Sequence, residues 1–213
     1  MNRTDTILEF VEGPRVLDIG YVGQMLRKGA PNWLHDKLIN CNYEAWGIDI
    51  STKDVENDTK LGYPHLFVMN AEDLDLPVKF NTIIAGEIIE HVNSPGKFLE
   101  KVYNHLEIGG RLVITTPHPF AFIYILYALY KYPKTCPTSE HTLWFCPQTF
   151  RELVKRYNYQ EIKFLLLEDY EPNKNSKPYT IAISFIKYFG FLLPKLLRYN
   201  NMLFVLEKAE MGA

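Results

Sequence analysis

Cysteine is scarce in this chain of 213 residues. Cys41, Cys136 and Cys146 form no CxxC pair and cannot all pair with one another, so a reducing, cytoplasmic setting is expected. An excess of either charge is also missing. Lys and Arg number 23 against 25 Asp and Glu, a formal net charge of -2, which gives no electrostatic case for nucleic acid as the principal partner. No apolar run reaches the ~20 residues of a membrane span. The longest candidate, residues 181–197, is broken by Lys187 and Pro194 and reads as a buried or amphipathic segment. The first residues, MNRTDTILEFVEG, are polar and acidic, unlike a secretory signal. Repeats, low-complexity tracts and Gly/Ser linkers are absent as well. With 47% hydrophobic residues, the sequence has material for one sizeable core, and residues 1–213 are expected to form one domain.

What is present is an alternation of short apolar runs and amphipathic segments. RVLDIG, EAWGIDI, HLFVMN, FNTIIAG and RLVITTP read as five strands. Pro31 is placed to open a helix over PNWLHDKLIN. The clearest helix follows Ser94, its expected cap, with Pro95 in the first turn, Phe98, Leu99, Val102 and Leu106 on one face, and Gly109 and Gly110 as its stop. Continuously apolar strands alternating with helices predict an α/β fold with a doubly wound, mostly parallel sheet. After residue 117 the rhythm changes to an aromatic-rich insertion. Its PFAFIYILYALY is apolar nearly all round and is expected to be buried or to face a greasy ligand. A helix over PQTFRELVKRY and strands over EIKFLLLE and MLFVLEK close the chain.

Ligands of such sheets settle beyond the carboxyl ends of the strands. The first strand ends at Asp18 and Gly20. The second ends at Asp49, whose carboxylate can accept from both hydroxyls of a ribose, with Ile50 beside it to pack on a base. The third ends at Asn70, Ala71 and Glu72, suited to reading an adenine edge. Singly, each has a plainer explanation as a turn, cap or loop residue. Three suitable residues at three successive strand ends favour a nucleoside site.

These motifs resemble class I S-adenosylmethionine-dependent methyltransferases, the broad group that includes the ubiquinone-biosynthesis O-methyltransferases. VLDIGYVGQ is similar to the first motif, WGIDIS to the ribose-binding strand end, and NAEDLDLP to the adenine loop. FNTIIAGEIIEHVNSPGKFLEKVYNHLEIGGRLVITTP is similar to the block from fourth to fifth strand, and HTLWFCPQTFRELVKRYNYQ carries a weaker echo. The resemblance implies a seven-stranded methyltransferase sheet, with a cofactor core over residues 14–117 and acceptor-pocket or cover segments over 118–145 and 170–200. It assigns S-adenosylmethionine to Asp18, Gly20, Tyr21, Gly23, Asp49, Ile50, Asn70, Ala71, Glu72 and Glu87. One departure stands out: the family's three glycine positions hold Gly20, Val22 and Gln24 here, with Gly23 between them. A dehydrogenase fingerprint would need G-x-G-x-x-G to meet a pyrophosphate, which this loop does not provide.

In EIIEH, a helical turn would bring Glu87, Glu90 and His91 onto one face. Similar E-x-x-E-H patterns hold metal in small-RNA 2'-O-methyltransferases and some quinone O-methyltransferases, and EHTLWF supplies a further His141. A divalent cation on Glu87, Glu90, His91 and His141 is one reading. The other, which is the expectation, has Glu87 meeting the cofactor while Glu90 and His91 tie the loop together. His118 or His141 would serve as base for a hydroxyl acceptor. His35 and His105 read as surface or interface residues. The expected reaction is methyl transfer to a small apolar or aromatic acceptor, at oxygen. A non-catalytic binding module and an RNA ribose 2'-O-methyltransferase are the alternatives, while peripheral membrane contact and a homodimer stay open.

Overall fold

The computed structural model describes residues 2–23, 30, 32–131, 140–169 and 177–209. Gln24, Pro31 and Cys136, together with parts of both cover segments, lie outside the described residues. A short helix α1 (Arg3–Leu8) precedes β1 (Arg15–Ile19), α2 (Leu34–Asn40), β2 (Glu44–Asp49), α3 (Thr52–Lys60) and β3 (Leu66–Val68). Then come β4 (Phe80–Gly86), α4 (Pro95–His105), β5 (Leu106–Pro117) and α5 (Phe122–Lys131). The chain closes through α6 (Pro147–Lys155), β6 (Tyr159–Leu167), α7 (Lys177–Phe189), α8 (Lys195–Arg198) and β7 (Asn201–Lys208).

The strands form one sheet in the order β3-β2-β1-β4-β5-β7-β6. The first five are parallel, while β7 runs antiparallel to both β5 and β6. Successive residues of a strand point to opposite faces, so strands apolar at every position cover both. Leu17, Ile83 and Leu112 join the core layer containing Phe98, Leu99 and Phe150, whereas Val16, Ile84 and Val113 join the layer containing Ile7 and Leu38. The chain leaves β1 toward β2 and β3 on one side and toward β4 and β5 on the other. The switch point therefore lies between β1 and β4.

Several local expectations change. Ser94 makes no side-chain cap; the Glu72 carboxylate instead accepts from the amides of Asn93 (3.1 Å) and Ser94 (2.7 Å) ahead of α4. α4 ends at His105, before the glycine pair, and Gly110 lies in an irregular start of β5, where a Cβ would come 2.9 Å from the Glu107 carbonyl. His105 is buried, with its imidazole between the Leu76 amide and the Lys101 carbonyl, and His35 is also buried. Neither is a surface residue. Nor is α5 enclosed: Leu129 is 72% exposed and Tyr130 79%. Its inner residues pack on α7 and the turn after it, through Ala121, Ile123, Ile186 and Leu193.

Candidate functional site

The carboxyl ends of β1, β2 and β4 meet at the switch point. Ile19 lies between Ile48 and Ala85, and the Gly20 amide donates to the Ile48 carbonyl at 2.8 Å. Gly20 (φ 73°) and Gly23 (φ 60°) both take the left-handed conformation, and the Gly23 amide donates back to the Gly20 carbonyl at 3.2 Å. The turn thus closes with its second glycine one position from the family's usual place. Tyr21, between them, is buried, and its carbonyl accepts from the Trp33 indole at 2.7 Å. Trp33, His35 and Tyr63 complete an aromatic nest behind the loop.

Asp18 is buried, with Oδ2 3.3 Å from Nδ1 of His35. Burial pushes its carboxyl above the usual range, and His35 opposes that. Asp18 thus faces His35 of α2 from the end of β1, with no hydrogen bond formed between Oδ2 and Nδ1. Asp49 stands at the end of β2, partly exposed, and accepts from the Ser51 amide through Oδ1 at 2.9 Å. Next to it Ile50 is 76% exposed, an apolar side chain at the sheet edge without cover. The Asp49 carbonyl accepts from Met69, which brings the following loop alongside. There Asn70 caps the short turn Ala71–Asp73 by accepting from the Glu72 amide at 2.9 Å. Ala71 and Glu72 are buried, and the Glu72 carboxylate is spent on the entry to α4.

Glu87 departs from the expected helical turn. It is itself left-handed (φ 59°), its amide donates to Thr115, and its carboxylate accepts from the Asn201 amide at 2.6 Å. Arg3 lies 3.6 Å from Glu87 and 2.7 Å from Asp169. Desolvation pushes the Glu87 carboxyl up, with Arg3 pulling it back. Arg3, Asp169 and Asn201 escaped the sequence reading because they approach Glu87 from remote parts of the chain.

Glu90, His91 and His141 each offer a ligand atom, all within 4.8 Å of one another; Glu87 is not among them. The Glu90 carbonyl accepts from the amides of Thr142 and Leu143, which draws the 140s loop in and sets His141 edge-on to His91 at 4.7 Å. Glu90 Oε2 accepts from Thr116, while Oε1 is buried with no partner among the described residues. Burial, then the Glu87 charge, push the Glu90 carboxyl well up. His141 is pushed down to about 4, by burial first and His91 second. His118 is buried, with Nε2 2.8 Å from the Tyr199 carbonyl and Nδ1 without a partner among the described residues. A nitrogen facing a carbonyl must carry the proton, so Nδ1 holds a lone pair. Burial lowers the basicity of His118 as well.

A family model described as a methyltransferase domain matches residues 3–163. The ubiquinone biosynthesis O-methyltransferase of Schizosaccharomyces pombe mitochondria is 26% identical over 150 residues, 67% of this chain. The chain spans about half the length of that relative, 50%. Among solved structures, a SAM-dependent methyltransferase from Archaeoglobus fulgidus matches with a TM-score of 0.67 at 16% identity, over 97% of this chain and 91% of that one. Magnesium protoporphyrin IX methyltransferase from Synechocystis, solved with bound SAH, matches with a TM-score of 0.63 at 15% identity, over 97% and 82%.

Proposed function

The chain belongs to the methyltransferase-domain family, and from that premise we propose that it transfers a methyl group from S-adenosylmethionine to the oxygen of a small apolar or aromatic acceptor. The observation that carries this reading is the pairing of the Gly20 turn with Asp49 at adjoining strand ends, across the switch point from β4. The partly exposed Asp49 carboxylate suits a ribose diol, and the exposed Ile50 suits one face of a purine. The left-handed glycines let backbone approach the ligand without a Cβ in between. These residues fit the adenosyl group.

Bound there, S-adenosylmethionine would supply an electrophilic methyl whose leaving group departs neutral. The protein's tasks are then to align the acceptor, exclude water and remove one proton. Burial lowers both His118 and His141, so each ring is neutral at pH 7 and offers a lone pair, while His141, at about 4, is only a weak base. The rings of His141, Trp144 and Tyr124 make a continuous wall from the Glu90 turn to α5, an apolar setting for an aromatic acceptor. A second reading rests on the orphaned Glu90 Oε1 beside His91 and His141. One oxygen and two nitrogens fit a divalent cation that would acidify the acceptor hydroxyl.

Titration calorimetry tests the main reading. The protein should bind S-adenosylmethionine in the micromolar range. Asp49→Ala should weaken binding roughly ten- to hundredfold, the size of hydrogen bonds to a charged group. Absence of any heat with the unaltered chain would favour a non-catalytic binding module instead.

A further inference from the structure

Exposed large apolar side chains among the described residues also occur away from the cofactor edge. Leu129 and Tyr130 are 72% and 79% exposed on α5, and Tyr188 is 76% exposed on α7. In the turn that follows, Phe191 and Leu192 are 74% and 69% exposed. Five large apolar side chains on neighbouring elements exceed the scattered exposure expected of a free surface.

Along the chain, the charges of their segments have one sign, and Arg198, beside Gly190, lies 3.9 Å from Glu168 of the preceding segment. Residues 118–139 and 172–206 contain seven Lys and Arg and no Asp or Glu, so the other residues hold sixteen basic and twenty-five acidic groups. A chain with a net charge of -2 has thus confined its excess positive charge to the segments that display the aromatics. Lys187, on α7, and Lys195, at the start of α8, are both exposed. An aromatic and aliphatic face flanked by exposed lysines matches the interfacial layer of a membrane, where rings enter the headgroup boundary and ammonium groups meet lipid phosphates. It does not match a contact between two copies, whose like charges would repel and whose interface core would be depleted of lysine. No helix among the described residues is long and apolar enough to cross a bilayer, so contact would be in the plane of the surface.

We propose that the face formed by α5, α7 and the Gly190–Leu192 turn docks on an anionic lipid bilayer. The proposal stands apart from the methyl-transfer reading, since it needs no cofactor and no turnover.

Vesicle co-sedimentation of the full chain tests it. Equal parts phosphatidylcholine and phosphatidylglycerol should pellet the protein, and phosphatidylcholine alone should retain far less. Lys187→Gln combined with Lys195→Gln should weaken partitioning to the anionic vesicles roughly twenty-five-fold, from about fivefold per lysine near the surface. Phe191→Ser with Leu192→Ser should bring binding to background, while circular dichroism and thermal midpoint stay unchanged because both side chains are exposed. Three results would overturn the proposal: no pelleting with anionic lipid, equal pelleting with both lipids, or light scattering that shows a dimer dispersed by Phe191→Ser with Leu192→Ser. Calorimetry with S-adenosylmethionine on the same samples reads the active site separately, so a failure of one does not imply failure of the other.

Discussion

Asp18 and Asp49 close adjacent strands of the same sheet and do opposite jobs. Asp49 is partly exposed and available to a ligand, whereas Asp18 is enclosed and faces His35. Removing one member of a buried polar pair leaves the other without its neighbour, at a cost of about 1–3 kcal/mol. His35→Leu should lower stability by about that amount at pH 7, measured by urea denaturation. The pH dependence has a definite sign. The folded Asp18 carboxyl sits above its ordinary 3.8, so the folded state holds the proton longer than the unfolded state. Its contribution is greatest below pH 3.8 and falls as pH rises through the folded value. Without His35 that value rises further, so the variant should recover part of its deficit as the pH is lowered toward 5. A deficit equal at both pH values would refute the coupling. At this scale the sequence displayed both aspartates, because strand ends are marked by local pattern. It could not display His35 as the partner of Asp18. An isolated histidine on an amphipathic helix has the same signature whether it faces solvent or a carboxylate brought in by the sheet.

Elements were legible where their periodicity is strong, and their ends were not. α4 was plain from Phe98, Leu99 and Val102, yet its start depends on Glu72, more than twenty residues earlier. No local pattern announces a cap donated by another loop. Glu72→Ala would leave the amides of Asn93 and Ser94 without an acceptor and should cost about 1–3 kcal/mol by urea denaturation. Its effect on S-adenosylmethionine affinity should be smaller than that of Asp49→Ala, since its carboxylate supports the loop from within. A comparable loss of affinity in the two variants would instead make Glu72 a direct ligand contact. The turn after β4 carries the same lesson. Spacing alone predicted one helical face for Glu87, Glu90 and His91. Glu87 has a left-handed backbone, and its carboxylate meets Arg3 and Asn201, while that of Glu90 stays with two histidines.

For the whole molecule, the parallel half of the sheet could be read from five apolar runs in sequence, but the position of β7 could not. A final apolar run can add to an edge or enter the sheet, and both look alike in one dimension. Here β7 enters between β5 and β6, buried from Asn201 to Leu206. Phe204 is the junction, its ring 4.5 Å from Phe150 of α6 and 4.7 Å from Phe164 of β6. Phe204→Ala should cost about 3–5 kcal/mol, which lowers the thermal midpoint by roughly 10 °C in a chain of this size. The transition should remain single, because β7 pairs with β5 and β6 alike; a separate early transition would mean that β6 detaches alone. The same insertion sets an order on biosynthesis. β7 leaves the ribosome after every other strand of the sheet, so a nascent chain must carry β5 and β6 unjoined. Until β7 has emerged, the growing polypeptide presents an unpaired apolar border of the kind that chaperones hold.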